Sequence, residues 1–181
     1  MRFIKTKIQG VYIIKPNPFK DKRGEFRRHF CKIEFLQNGV NDKVLQSNIS
    51  ENKHKGTLRG FHYQKYPYSE AKTLSCLKGE IYDVVIDLRK KSKTYKKWIA
   101  VKLTEKNKFS LHVPKGCANA FLTLKKNSII HYYVSQKYFP KKERGIKFND
   151  SSFKIKWPFK KKILSKKDNN AISFLEFIKK Y

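Results

Sequence analysis

Short β-prone runs set between turn residues are the feature that most narrows the folds open to this chain. Gly10-Val11-Tyr12-Ile13-Ile14 and the runs at residues 80–88, 98–103 and 129–134 are rich in β-branched and aromatic side chains. Lys78-Gly79, Asn107-Lys108 and Lys115-Gly116 punctuate them. Such spacing points to a β-sandwich or barrel. In the run at 80–88, Ile81, Asp83, Val85 and Asp87 share one face of a strand, and Tyr82, Val84, Ile86 and Leu88 share the other. Helical periodicity is weak. Ile172, Leu175, Phe177 and Ile178 predict one short amphipathic helix after a loop at 165–170, and residues 33–36 predict a helical turn before Asn38-Gly39. No internal repeat, linker or low-complexity stretch divides the chain. The expectation is one all-β jelly-roll domain spanning residues 1–181, with a few short helices.

The chain has 181 residues, enough for one core, and 39% of them are hydrophobic, too many for a disordered chain. No apolar run approaches the ~20 residues that cross a bilayer. The first residues, Met1-Arg2-Phe3-Ile4-Lys5, lack a secretory apolar stretch. These features predict a cytoplasmic protein with no membrane partner. Cys31, Cys76 and Cys117 lack the paired spacing of a zinc site or disulfide framework, and read as reduced thiols.

The net charge of +29 fits a nucleic-acid binder. The excess is mostly lysine, as in Lys90-Lys91, Lys125-Lys126 and Lys160-Lys161-Lys162, with no recognition-helix, RNA-sheet or zinc-finger signature beside it. Lysine on solvated turns is the preferred reading, with no nucleic-acid partner. The charge would still help draw in an anionic ligand.

The stretch from Lys55 to Gln64 is the densest in chemistry: two glycines, Arg59, His62, Tyr63 and Gln64 within ten residues. On a strand, Leu58, Gly60, His62 and Gln64 share one face, and a bend at Gly60 would bring Arg59 and His62 to one cavity. Taken alone, His62 reads as a satisfied structural histidine in preference to a base. Gln64 stands where a metal-binding jelly roll places its second histidine, so no metal is expected. No Gly-rich phosphate loop opens a helix.

Several segments in order carry a resemblance: Asp21-Lys22-Arg23-Gly24-Glu25-Phe26, Gln46-Ser47-Asn48-Ile49-Ser50, Leu58 to Gln64 and Gly79 to Arg89. Further along come Pro114-Lys115-Gly116, Phe148-Asn149-Asp150, Ile155-Lys156-Trp157-Pro158 and Leu164-Ser165-Lys166-Lys167-Asp168. From about residue 8 to 170 the chain resembles the nucleotide-4-keto-6-deoxysugar 3,5-epimerases, the family of dTDP-4-dehydrorhamnose 3,5-epimerase. The resemblance implies a cupin-type jelly roll, a homodimer, no metal or organic cofactor, and a nucleotide-diphosphate sugar as substrate.

It also implies roles. His62 is the base, oriented by Asp168; Lys72 stabilises an enolate at the C4 oxygen; Tyr132, rather than the oppositely facing Tyr133, is the acid on the other face of the sugar. Read without the family, Asp168 is a loop aspartate capping a following helix, and Lys72 a strand lysine facing water. Arg23 and Arg59 are the expected diphosphate clamps. Gln46, Asn48 and Tyr138 are expected to face nucleotide or sugar.

Two positions depart from the family pattern. Asn119 stands at a family histidine, where an amide donates a hydrogen bond but does not shuttle protons. Arg28 replaces a common glutamate. Both changes favour a substrate other than the dTDP-hexose, and the expectation is a GDP-linked 4-keto-6-deoxyheptose destined for capsule or lipopolysaccharide. The alternatives are the dTDP-hexose itself, a 3,4-ketoisomerase on a similar sugar, or a basic RNA- or membrane-surface-binding β-barrel. Whether C3 alone or both C3 and C5 are inverted stays open.

Overall fold

The computed structural model describes residues 1–160 and 162–180. In chain order the strands are β1 (Arg2–Lys5), β2 (Tyr12–Lys15), β3 (Phe19–Asp21), β4 (Gly24–Phe26), β5 (Gln46–Asn52), β6 (Leu58–Gln64) and β7 (Lys72–Lys78). They continue as β8 (Glu80–Asp87), β9 (Trp98–Thr104), β10 (Ser110–Val113), β11 (Cys117–Thr123), β12 (Ser128–Val134) and β13 (Glu143–Gly145). Helix α1 (Lys32–Gln37) precedes β5, and α2 (Lys166–Asn169) and α3 (Phe174–Lys180) follow β13. A six-stranded sheet runs β1-β2-β10-β7-β12-β5, a five-stranded sheet runs β13-β6-β11-β8-β9, and β3-β4 is a separate hairpin. This is the expected cupin-type β-sandwich with short helices.

Alternation along the strands sorts side chains between two cores. Leu74, Cys76, Leu111 and Ile130 of the larger sheet meet Ile81, Val85, Leu103 and Phe121 of the smaller one between the layers. The opposite faces of β8 and β11 present Val84, Ile86, Ala118 and Ala120 to Phe153, Phe174, Phe177 and Trp157 of the C-terminal segment. The facing expected for Ile81, Val85, Val84 and Ile86 is the one observed.

Two expectations near the C-terminus need correction. The stretch at 165–170 is not wholly loop: Ser165 caps α2, its hydroxyl accepting from the Asp168 backbone N–H at 3.1 Å. Asp168 therefore sits inside the first turn and is not a cap for a later helix. In α3 the buried residues are Phe174 and Phe177, one turn apart, while Leu175 is exposed and Ile172 precedes the helix. No helix among the described residues is long and apolar enough to cross a membrane.

Candidate active site

Toward the β5 and β6 side, the inner faces of the sandwich turn polar and a cavity of about 550 Å³ opens between the sheets. Gln46, Asn48, Lys72, Leu74 and Tyr132 line it from the larger sheet, and Arg59, His62, Asn119 and Phe121 from the smaller one. Tyr138, Glu143, Lys167 and Asp168 close its rim. Arg59 and His62 reach the same cavity because β6 bulges. Asn119 pairs with His62 and Phe121 with Arg59, so two residues of β6 stand opposite Ala120 alone. Residues three apart in a regular strand point to opposite faces, and the extra residue restores them to one. Gly60 makes the bulge possible, with φ of +106° and no room for a Cβ, which would lie 2.5 Å from the Asn119 carbonyl oxygen.

His62 stands between two carboxylates. Its Nε2 lies 2.5 Å from Oδ1 of Asp168 and its Nδ1 lies 3.5 Å from Oε1 of Glu143. Burial opposes the charge on Asp168, but the bond to His62, with the Gly60 amide adding to it, holds the carboxyl below its ordinary range. Glu143 behaves alike: burial pushes it up, and the Lys167 ammonium and the Tyr138 hydroxyl hold it down. Tyr138 Oη donates to Glu143 Oε2 at 2.6 Å. Both carboxylates stay ionised beside the imidazole.

Across the cavity, Lys72 is no water-facing strand lysine. Its Nζ pairs with Glu70 Oε1 at 2.9 Å, and the side chain is largely buried. Tyr132 and Tyr133 face opposite ways on β12. Tyr132 lines the cavity. Tyr133 packs against His29 and Phe30 on the outer side, where burial pushes its hydroxyl up to about 12. Arg59 Nε donates to Asn52 Oδ1 at 2.9 Å, leaving the rest of its guanidinium toward the cavity it lines. Gln46 Oε1 accepts from the Tyr138 backbone N–H at 3.2 Å.

Arg23 and Arg28 are not brought to the cavity. Arg23 occupies the exposed turn of the β3-β4 hairpin, its guanidinium held by Asp21 at 2.6 Å. Arg28 pairs with Glu34 at 2.9 Å. Near neighbours in sequence satisfy both, and both point to solvent within one chain. Sequence reasoning missed Glu143, Lys167 and Glu70, since charged residues abound in this chain and only their placement singles them out. Glu143 alone carried a signal, as one acid in the basic run Lys141-Lys142-Glu143-Arg144. Among the described residues no group of three or more His, Cys, Asp or Glu has metal-holding geometry.

Comparison with known proteins places this architecture among the carbohydrate epimerases, isomerases built on a cupin-type sandwich. Residues 5–176 match the family model described as dTDP-4-dehydrorhamnose 3,5-epimerase, and the chain belongs to that family. A Shigella flexneri protein of that name is 40% identical over 178 residues, covering 97% of each chain. The structure of an epimerase from Legionella pneumophila, in complex with dTDP-4-keto-L-rhamnose, is similar at a TM-score of 0.91 and 34% identity, covering 96% of this chain and 93% of that one. A 3′-monoepimerase from Streptomyces bikiniensis, in complex with dTDP-quinovose, is similar at 0.89 and 29% identity, covering 96% and 88%.

Proposed function

We propose that the protein inverts C3 and C5 of dTDP-4-dehydro-6-deoxyglucose, the reaction of a dTDP-4-dehydrorhamnose 3,5-epimerase. The observation that carries this is the position of His62 and Tyr132 on facing sheets of one cavity. Inversion requires a proton to leave one face of the sugar and return to the other. A ring held between the sheets meets the imidazole on one side and the phenol on the opposite side.

The C4 ketone acidifies the hydrogens at C3 and C5, because the carbanion left behind is an enolate. His62 takes the proton, and Asp168 orients the ring and stabilises its charged form. A positioned base contributes roughly 10²–10⁴-fold. Lys72, which lines the same cavity, is the cation that holds negative charge on the C4 oxygen in this reading, a term worth about 10²–10³-fold. Tyr132 then delivers a proton from the other wall. Arg59 is the diphosphate contact within the chain, and Gln46, Asn48, Asn119 and Tyr138 shape the pocket for the rest of the ligand.

The GDP-linked heptose expected from Asn119 and Arg28 gives way to a dTDP-linked hexose, which the dTDP ligands of the solved relatives support. Arg28 lies outside the cavity and makes no case for guanine. The second reading is inversion at C3 alone, favoured by Asn119 in place of the family histidine and by the likeness to a monoepimerase. The expected homodimer belongs to this proposal too. Phe19 and Phe26 stand exposed on the β3-β4 hairpin, and a second copy covering them would give Arg23 a cavity to reach.

Incubation with dTDP- and GDP-linked 4-keto-6-deoxy sugars in D₂O tests the assignment. Deuterium entering C3 and C5 of the dTDP compound, with inversion seen by NMR, is the expected result. Labelling of the GDP compound alone, or a product with a moved carbonyl, overturns it.

A further inference from the structure

Asp83 is a buried acid that the mechanism above does not use. It lies on the inner face of β8, fully excluded from solvent, with its Oδ1 accepting from Nδ2 of Asn119 at 3.4 Å. Among the described residues its Oδ2 has no hydrogen-bond partner. Asn119 is the cross-strand neighbour of His62 and lines the cavity. The side-chain oxygen of Asn119, Oδ1, has no hydrogen-bond partner among the described residues. A carboxylate only accepts, so it draws the amide nitrogen toward itself and sends the carbonyl the other way.

We propose that Asp83 is a positioning residue that turns the Asn119 carbonyl toward the bound sugar, so that position 119 accepts a hydrogen bond from a ring hydroxyl beside His62. The proposal rests on the reading of the cavity as a nucleotide-sugar site. It reverses the simpler view of Asn119 as a donor. Burial pushes the Asp83 carboxyl up to about 7 against the pull of Asn119 and the Lys72 charge, so above neutral pH the group is a pure acceptor.

The test is calorimetric binding at pH 8 of dTDP and of dTDP-glucose, a stable sugar nucleotide without the ketone. In Asp83→Val, dTDP-glucose affinity falls about 3–10-fold, the worth of one neutral hydrogen bond, while dTDP affinity is unchanged. Asp83→Asn, whose amide oxygen still accepts, retains wild-type affinity for both. Asn119→Leu shows the same selective loss as Asp83→Val, and the double variant loses no more than either. Undiminished dTDP-glucose binding by Asp83→Val, equal weakening of both ligands, or additive losses overturn the proposal. Should Asp83→Val not fold, undiminished dTDP-glucose binding by Asn119→Leu overturns it. If the unmutated protein binds neither compound, the nucleotide-sugar reading falls and takes this one with it.

Discussion

Oδ1 of Asp168 lies 2.5 Å from Nε2 of His62, although 106 positions separate the two in the chain. The bond fixes which imidazole nitrogen carries the proton and leaves Nδ1 as the basic one. Asp168→Asn keeps the shape of the side chain but removes the charge that stabilises imidazolium. Its kcat/KM should fall by roughly 10²–10⁴-fold with little change in dTDP affinity. A steady-state assay beside a dTDP titration checks this, and near-normal turnover would sink the dyad.

The facing of β12 makes two adjacent tyrosines give opposite results. Tyr132→Phe should abolish inversion while solvent deuterium still enters C3, because His62 remains. Tyr133→Phe, altered on the outer side of the sheet, should turn over within a few-fold of wild type. Product NMR in D₂O separates the two; inversion by Tyr132→Phe refutes its role as acid.

Gly60 ties backbone geometry to chemistry. In Gly60→Ala the new Cβ meets the Asn119 carbonyl at 2.5 Å and Ala120 at 2.9 Å, at a φ that side chains disfavour. The expected loss is about 1–3 kcal/mol of stability, from backbone strain alone. Activity should fall beyond what the lost folded fraction explains, because relief of the clash moves β6 and separates Arg59 from His62. Thermal melts and activity per folded molecule test both parts.

Asp83 predicts a pH-dependent stability. In the folded protein its carboxyl is pushed up to about 7 by burial, from an ordinary 3.8. Its neutral form is therefore favoured by folding. That contribution is fully present below about pH 4 and is lost as pH rises through about 7. Asp83→Asn removes the dependence. It should melt higher than wild type at pH 8, by on the order of 5 °C, and no higher at pH 4. A gap that is equal at both pH values would show that Asp83 ionises freely in the fold.

The alternation of β8 and the strand through His62 were legible because a two-residue period writes facing directly into sequence. Gly60 was legible as a bend, since glycine in a strand marks a place where side chains do not fit. Nine of the eleven proposed site residues line one cavity, and the ordered motifs brought most of them to notice. Arg23 and Arg28 lie outside that cavity within one chain, since a motif names residue types and not the local partners, Asp21 and Glu34, that hold them. Glu143 escaped notice because its effect arises from its distance to His62, 81 positions away, which no spacing in the chain encodes. Leu175 was set on the wrong side of α3 because five apolar residues in the seven positions 172–178 admit more than one buried stripe, and Phe174 was left out of the expected one.

Asp168 rides on α2, which packs against the bulged strand β6, while Phe174 and Phe177 of α3 cover the outer side of the smaller sheet. The counter-charge of the His62 imidazole is therefore supplied from outside the two sheets, by the C-terminal segment. On the proposed mechanism, a molecule whose C-terminal segment is undocked would lack the charge that stabilises imidazolium.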